Sequence, residues 1–189
     1  MAVLALDTSA SVTVAVVSDD GARLARRDAP ERRRHAEALA PLVEAALAEA
    51  GVDRRDLTAV AVGTGPAPFT GLRVGLVTAR ALGFALGVPV LGVPSLDAVA
   101  AQAVSDLGLA PDDELLVATD ARRREVYWAR YRVVAHEGPH AVPVLETVAG
   151  PDVGPAADVA TPAAGAVELG EGAELCRRAH DGAPGAPEG

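Results

Sequence analysis

The sequence has 189 residues, half of them hydrophobic, which suffices for one domain, or two small halves of one unit, with a buried core. Aromatic residues make up only 3% and the formal net charge is −9, so neither base stacking on exposed rings nor tight nucleic-acid binding by this chain alone is expected. A single cysteine, Cys176, excludes an intrachain disulfide framework and a cysteine-rich zinc site.

Local patterns in the first hundred residues predict three strands followed by alternating helices and strands. Hydrophobic or β-branched runs bounded by turn residues predict strands at 2–6, 11–18, 22–28, 57–62 and 88–93. Apolar residues at helical spacing predict helices at 34–50, 69–86 and, capped by Ser95, 95–104. This order predicts an α/β unit in which helices cover a mixed sheet.

The second half of the chain carries weaker signals. Strands are predicted at 115–119, 125–134 and 142–148. Glycine, proline, alanine and acidic residues dominate from Gly150 onward, and residues 181–189 are expected to be disordered because they can bury little apolar surface. The N-terminus lacks a basic region and no uninterrupted apolar run reaches membrane-spanning length, so a soluble cytoplasmic chain is expected.

Two acidic strand ends suit more than one role. Asp7, Thr8 and Ser9 follow the first strand, where a carboxylate and two hydroxyls can hold magnesium through water or close an Asx-type turn. Asp120 ends a later strand and precedes a hairpin filled by Arg122–Arg124. Paired strand-tip aspartates are the arrangement of actin-like ATPases, but arginines here replace the hairpin glycine that lets a phosphate approach the backbone. A solvated turn remains the alternative for Asp120.

The loop Gly63–Gly71 leads from a strand into a helix, where backbone amides can bind an anion. It lacks the lysine of a P-loop, since Leu72 follows its last glycine, and two prolines remove amide donors. A structural turn is therefore favoured over a nucleotide cradle. No metal site is predicted either, because His136 and His140 share a glycine- and proline-containing loop with one nearby acid.

The predicted helix 69–86 carries small residues at every fourth position, namely Gly71, Gly75, Ala79 and Gly83. Apolar residues surround most of this helix, which predicts burial on more than one side. Each interior glycine costs about 0.5–1 kcal/mol relative to alanine, so a close backbone approach must compensate. The small-residue stripe can face a helix of another protein or the sheet of this chain, and the pattern favours neither.

Four segments, in order along the chain, resemble the TsaB family. The likeness runs from Met1 to about Tyr131, and its most specific part is the GPAPFTGLRVG segment at residues 65–75. The other segments are MAVLALDTSASVTVAVV, RRHAEALAPLVEAAL and ATDARRREVYWARY. The resemblance implies an actin/Hsp70/sugar-kinase-like (ASKHA) α/β fold in two related subdomains. We expect these at 1–104 and 105–175, the second incomplete at its C-terminus, followed by a disordered tail at 176–189.

The resemblance also implies a function. TsaB-like proteins are non-catalytic subunits of the complex that forms N6-threonylcarbamoyladenosine at position 37 of tRNAs reading codons that start with A. The expected partners are a catalytic TsaD-type subunit and a TsaE-type ATPase, with a homodimer expected when the TsaD-type partner is absent. ATP and a metal ion belong to those partner subunits, tRNA is bound only through the complex, and this chain is expected to bind no cofactor.

The first two helices are expected to form the interface with the TsaD-type partner. The residues assigned to that interface are Leu39, Val43, Leu47, Gly71, Gly75, Ala79 and Gly83. A vestigial nucleotide site is assigned to Asp7, Thr8, Ser9 and Asp120. The alternative function is a stand-alone ATP-dependent kinase-like enzyme of the same fold, with Asp7 and Asp120 as its magnesium-associated acids. A metallopeptidase is disfavoured because the histidines do not cluster.

Overall fold

The computed structural model describes residues 1–29, 35–138, 142–159 and 166–181. The chain divides into two compact units, residues 1–95 and 96–189. The boundary predicted after residue 104 therefore lies too late. Leu96 and Val104 are both buried in the core of the second unit, which places the helix that carries them in that unit.

The first unit is built on a five-stranded mixed sheet with the order β3-β2-β1-β4-β5. Its strands are β1 (Ala2–Asp7), β2 (Thr13–Ser18), β3 (Arg23–Asp28), β4 (Leu57–Gly63) and β5 (Val90–Val93). The first three form an antiparallel meander, while β4 runs parallel to β1 and β5 parallel to β4. Two helices, α1 (His35–Ala50) and α2 (Phe69–Leu86), share one apolar core with this sheet.

The alternation of side chains explains why these strands form. In β1, Ala2, Leu4 and Leu6 are buried, while the residues between them are partly exposed. A period of two places alternate residues on opposite faces of a sheet, so this run is stable only as a strand with one face covered. All elements predicted in the first half are confirmed, with bounds that differ by a few residues.

The second unit contains a four-stranded sheet with the order β8-β7-β6-β9. Its elements are α3 (Ser95–Leu107), β6 (Glu114–Arg122), β7 (Glu125–Ala135), β8 (Val144–Pro155), β9 (Val167–Leu169) and α4 (Glu171–Asp181). Apart from Ser95, α3 belongs to this unit. Again an antiparallel meander is followed by a strand parallel to its first member, as in the first unit. Alternate residues of β6 pack on the two helices: Leu115 and Val117 share a core with α3, and Leu116 and Ala118 share one with α4.

The C-terminal segment corrects the expected tail. Residues 176–181, assigned to a disordered tail, complete α4, and Cys176 is buried in the core between that helix and the sheet. Burial raises the pKa of the Cys176 thiol, which disfavours its thiolate form. The helix can pack closely because a Cβ at Gly172 would already lie 2.8 Å from the carbonyl carbon of Ala118. The rest of the predicted tail, 182–189, lies outside the described residues.

Candidate functional site

A polar network surrounds Asp7 at the end of β1. One carboxylate oxygen accepts hydrogen bonds from the backbone amide of Ser9, at 2.7 Å, and from the Ser9 hydroxyl. The other oxygen accepts a hydrogen bond of 2.7 Å from the hydroxyl of Ser95, the first residue of α3. The Ser95 hydroxyl in turn accepts the amide of Gly65 at 3.2 Å. The Asp7 carboxylate therefore stabilises a local turn and joins it to the β4–α2 loop.

Glycine at the end of β4 makes room for this carboxylate. The strands β1 and β4 are parallel neighbours, and Leu6 pairs with Val62 in their register. A Cβ on the next residue, Gly63, would lie 1.9 Å from the Asp7 Oδ2 atom and 2.9 Å from the Ser95 Oγ atom. Both distances are shorter than van der Waals contact, so any side chain at Gly63 would displace the network.

The Thr8 hydroxyl is inserted into the second helix. It donates to the carbonyl of Gly71 at 3.0 Å and accepts from the amide of Gly75 at 3.2 Å. These two backbone groups are the pair that a regular α-helix joins by a hydrogen bond between residues i and i+4. A Cβ at Gly75 would lie 2.6 Å from the Thr8 Oγ1 atom, so the glycine permits the approach. Thr8, which is 1% exposed, ties the end of β1 to the N-terminal part of α2.

We expect Thr8→Val to destabilise the chain by about 1–3 kcal/mol, because it leaves the partly buried Gly71 carbonyl and the buried Gly75 amide without their hydroxyl partner. For a chain of this size, that is roughly 3–10 °C in melting temperature. Thr13→Val is the matched control, since it removes an exposed hydroxyl that donates to Asp28 at 2.7 Å. Equal melting temperatures for the two variants would show that the Thr8 hydroxyl does not hold α2.

The small-residue stripe of α2 faces the sheet of its own chain. Gly75, Ala79 and Gly83 are the buried residues of α2. A Cβ at Gly83 would lie 2.4 Å from Cγ2 of Val90 on β5 and 3.1 Å from the carbonyl oxygen of Val88. The assignment of the stripe to a partner interface is therefore wrong, because these positions are already covered within the unit.

The assigned interface residues of α1 are likewise turned inward. Leu39 and Val43 are buried in the core of the first unit, and Leu47 is partly buried against it. Gly71 is partly buried, and its carbonyl is bound by Thr8. These residues support the two helices from inside and do not present a surface to another protein.

The opposite face of α2 is open and partly apolar. Phe84 is 93% exposed, Phe69 74% and Val77 57%. With the exposed Arg73 and Arg80 they share one face, since their spacings are close to whole helical turns. Among the described residues, α2 is also the one helix long and apolar enough, by length and composition, to cross a membrane, although Arg73 and Arg80 interrupt its apolar run. The helix is apolar on both faces because its glycines face the sheet and its large apolar residues face outward.

The second acidic strand end lies in the second unit. Asp120 is exposed, and its Oδ1 atom accepts the backbone amide of Arg122 at 2.7 Å. Arg122, Arg123 and Arg124 all have positive φ angles, of 70°, 54° and 67°. The predicted hairpin is thus present, with β6 ending at Arg122 and β7 starting at Glu125. The vestigial nucleotide site assigned to Asp7, Thr8, Ser9 and Asp120 stays a prediction. Within the first unit, Asp7 and Thr8 already form hydrogen bonds with other residues of this chain.

No group of three or more metal-ligating side chains occurs within the described ranges of the chain. The Nδ1 atom of His136 lies 2.9 Å from the carbonyl oxygen of Leu109, so this ring joins two loops of the second unit. The other member of the considered pair, His140, lies outside the described residues.

Comparison with known proteins gives the family. The family model described as TsaD: tRNA N6-adenosine threonylcarbamoyltransferase matches residues 29–163. TsaB of Escherichia coli, a tRNA threonylcarbamoyladenosine biosynthesis protein, is 34% identical over 132 residues, which are 70% of this chain and 55% of that protein. The chain belongs to the TsaB family.

Further matches extend the likeness. An uncharacterized protein of Mycobacterium tuberculosis is 49% identical over 161 residues, 84% of this chain and 71% of that protein. A Pseudomonas aeruginosa crystal structure described as similar to the peptidase YeaZ has a TM-score of 0.72 and 35% identity, covering 89% of this chain and 74% of that one. The structure of YeaZ from the same organism has a TM-score of 0.69 and 34% identity, with coverages of 85% and 70%.

The fold expected of a TsaB-family member is confirmed. Both sheets start with an antiparallel meander and continue with a parallel strand, as an ASKHA-like α/β fold of two related parts requires. The comparisons do not support the alternative, a stand-alone kinase-like enzyme, better than they support a TsaB-family subunit. In this chain the Asp7 carboxylate accepts hydrogen bonds from Ser9 and Ser95, and Arg122, Arg123 and Arg124 occupy the hairpin after Asp120.

Proposed function

We propose that this chain is a non-catalytic subunit of the complex that forms N6-threonylcarbamoyladenosine at position 37 of tRNAs reading codons that start with A. Its role is to bind the catalytic TsaD-type subunit, while a TsaE-type ATPase completes the complex in the cytoplasm. The single observation that carries this role is the exposed apolar face of α2, in a chain whose family is named for this modification.

The exposed face of α2 has the composition of a binding surface. The chain contains only two phenylalanines, Phe69 and Phe84, and both lie on this face. Large apolar side chains clustered in solvent mark an interaction site, because water contact with them is unfavourable and a partner removes it. Arg73 and Arg80 lie between them and supply charged groups that can orient a partner.

The internal packing of α2 prepares this face for binding. Glycines let the helix approach β5 closely, and Thr8 fixes its N-terminal part. A surface held rigid before association loses less conformational entropy on binding. The buried residues of the stripe therefore serve the interface indirectly, by positioning the helix that carries Phe84.

The same face would also carry the homodimer that we expect when the TsaD-type partner is absent. Two copies that pair through α2 would cover Phe69 and Phe84 of each. This homodimer and the heterodimer compete for one surface, so adding the TsaD-type protein should dissociate the homodimer. Size measurement by light scattering during such a titration follows this exchange.

We expect the tRNA modification to depend on this chain and ATP turnover not to originate from it. A mixture of TsaD-type and TsaE-type proteins should modify a tRNA transcript only when this chain is added, and the chain alone should not hydrolyse ATP. The Asp7 carboxylate accepts hydrogen bonds from Ser9 and Ser95, which supports a structural role for Asp7. Modification at full rate without the chain contradicts the proposal. ATP turnover by the chain alone, lost in Asp7→Asn, would support the kinase-like alternative.

A further inference from the structure

The turn between β6 and β7 has an unfavourable sequence for its backbone. Arg123 and Arg124 are the two residues between the strands, and both have positive φ. Two-residue hairpins of this kind favour Asn-Gly, because glycine has no Cβ and the short polar side chain of asparagine tolerates positive φ better than other side chains do. Arg122, the residue before them, is also left-handed. Three consecutive arginines thus occupy backbone positions that glycine or asparagine would adopt at a lower cost in free energy.

The side chains of Arg122, Arg123 and Arg124 are exposed and have no ion-pair partner in the part of the chain that the structure describes. Among the described residues, six other arginines make ion pairs, namely Arg26, Arg27, Arg130, Arg132, Arg177 and Arg178. The acids that flank the hairpin are Asp120 and Glu125, and Asp120 is engaged by the backbone amide of Arg122. The hairpin therefore retains an excess of positive charge on an acidic chain.

We propose that the Arg122–Arg124 hairpin contacts the phosphate backbone of the tRNA bound by the complex. This inference rests on the proposed function, which supplies the RNA. Arginine binds phosphate oxygens through two parallel hydrogen bonds, and several guanidinium groups on one narrow turn can follow successive phosphates. Such contacts orient the RNA without reading its sequence. The acidic remainder of the chain explains why the affinity depends on the complex.

The first test removes the charge and keeps the turn. Arg123→Gln with Arg124→Gln, assembled with the TsaD-type partner, should bind an unmodified tRNA transcript roughly tenfold more weakly at near-physiological salt. The slope of log affinity against log salt should fall by about 1.5, as expected for the loss of two phosphate contacts. Arg54→Gln with Arg55→Gln, which removes two exposed arginines from the first unit, should change neither quantity.

The second test separates binding from folding. Arg123→Asn with Arg124→Gly gives the turn its preferred residues, so it should raise the melting temperature of the chain while it weakens RNA binding to the same extent. If the arginines had a purely structural role, this variant would change the melting temperature and leave RNA binding unchanged. Wild-type affinity and salt slope in both variants overturn the proposal, as does weaker binding of the protein partner with unchanged RNA binding.

Failure of the proposed function gives a different pattern. If the wild-type chain does not associate with the TsaD-type protein, the proposed function is wrong, and the hairpin is tested by binding of the same transcript to the full chain alone at low salt, where phosphate contacts are strongest. No difference between the wild type and the glutamine variant in that assay also overturns the hairpin proposal.

Discussion

Phe84→Asp should abolish association with the TsaD-type partner and leave the chain folded. The Phe84 side chain is 93% exposed, so its replacement removes almost no internal contact and should change the free energy of unfolding by less than about 0.5 kcal/mol. At an interface, an aromatic anchor is worth about 2 kcal/mol or more, and burial of an unpaired carboxylate adds several kcal/mol. The dissociation constant should therefore rise by at least about a hundredfold. Calorimetric titration and thermal unfolding measure the two effects separately.

Two further variants define the surface. Val77→Asp lies on the same face of α2 and should reproduce the loss of binding. Leu24→Asp is the control, because Leu24 is also an exposed apolar residue of the first unit. It lies on β3, the edge strand at the other end of the sheet from β5. If Phe84→Asp and Leu24→Asp bind the partner equally well, the exposed face of α2 is not the interface.

Gly83→Leu should lower the stability of the isolated chain. The new Cβ would meet the Val90 side chain at 2.4 Å and the Val88 carbonyl at 3.1 Å, and the strand cannot withdraw without disturbing its pairing with β4. Overpacking of a core typically costs about 1–3 kcal/mol, occasionally more, against a gain of up to about 1 kcal/mol from removing glycine from a helix. We expect a net loss of about 2 kcal/mol, or roughly 4–8 °C in melting temperature.

Companion variants show whether the cause is steric. Ala85→Leu adds the same side chain at an exposed position of α2 and should leave the melting temperature of the isolated chain unchanged. Gly83→Ala should destabilise less in a Val90→Ala background, because the nearest colliding atom is then gone. Weakened partner binding with unchanged stability in Gly83→Leu would instead return the stripe to the partner interface.

The first half of the fold could be predicted because its patterns are strong and local. Alternation in β1 and helical spacing in α1 each match one period, and turn residues mark their ends. The orientation of α2 could not be predicted in this way. Small residues permit close approach by any backbone, and only the neighbours seen in three dimensions, Thr8 and Val90, show which backbone it is.

The candidate site was found in the sequence, but its bonding was not. Asp7 and Thr8 stood out as a carboxylate and a hydroxyl at a strand end, yet their partners at Ser95 and Gly75 are 88 and 67 residues away. The C-terminal helix was missed for another reason. Its residues are mostly small or charged, and burial of Cys176 depends on contact with Leu116 and Ala118 of β6, which are distant in sequence.

The repeated strand order of the two sheets has an evolutionary consequence. Strands 1 to 4 and strands 6 to 9 occupy equivalent places, although the two halves share no evident repeat in sequence. A duplicated ancestral module leaves this trace when its side chains diverge and its backbone path is retained. In both halves a glycine of the helix that follows the fourth strand, Gly75 or Gly172, abuts the first strand of its meander or the residue after it. Such positions are inherited with the architecture, so they should resist mutation even where everything around them has drifted.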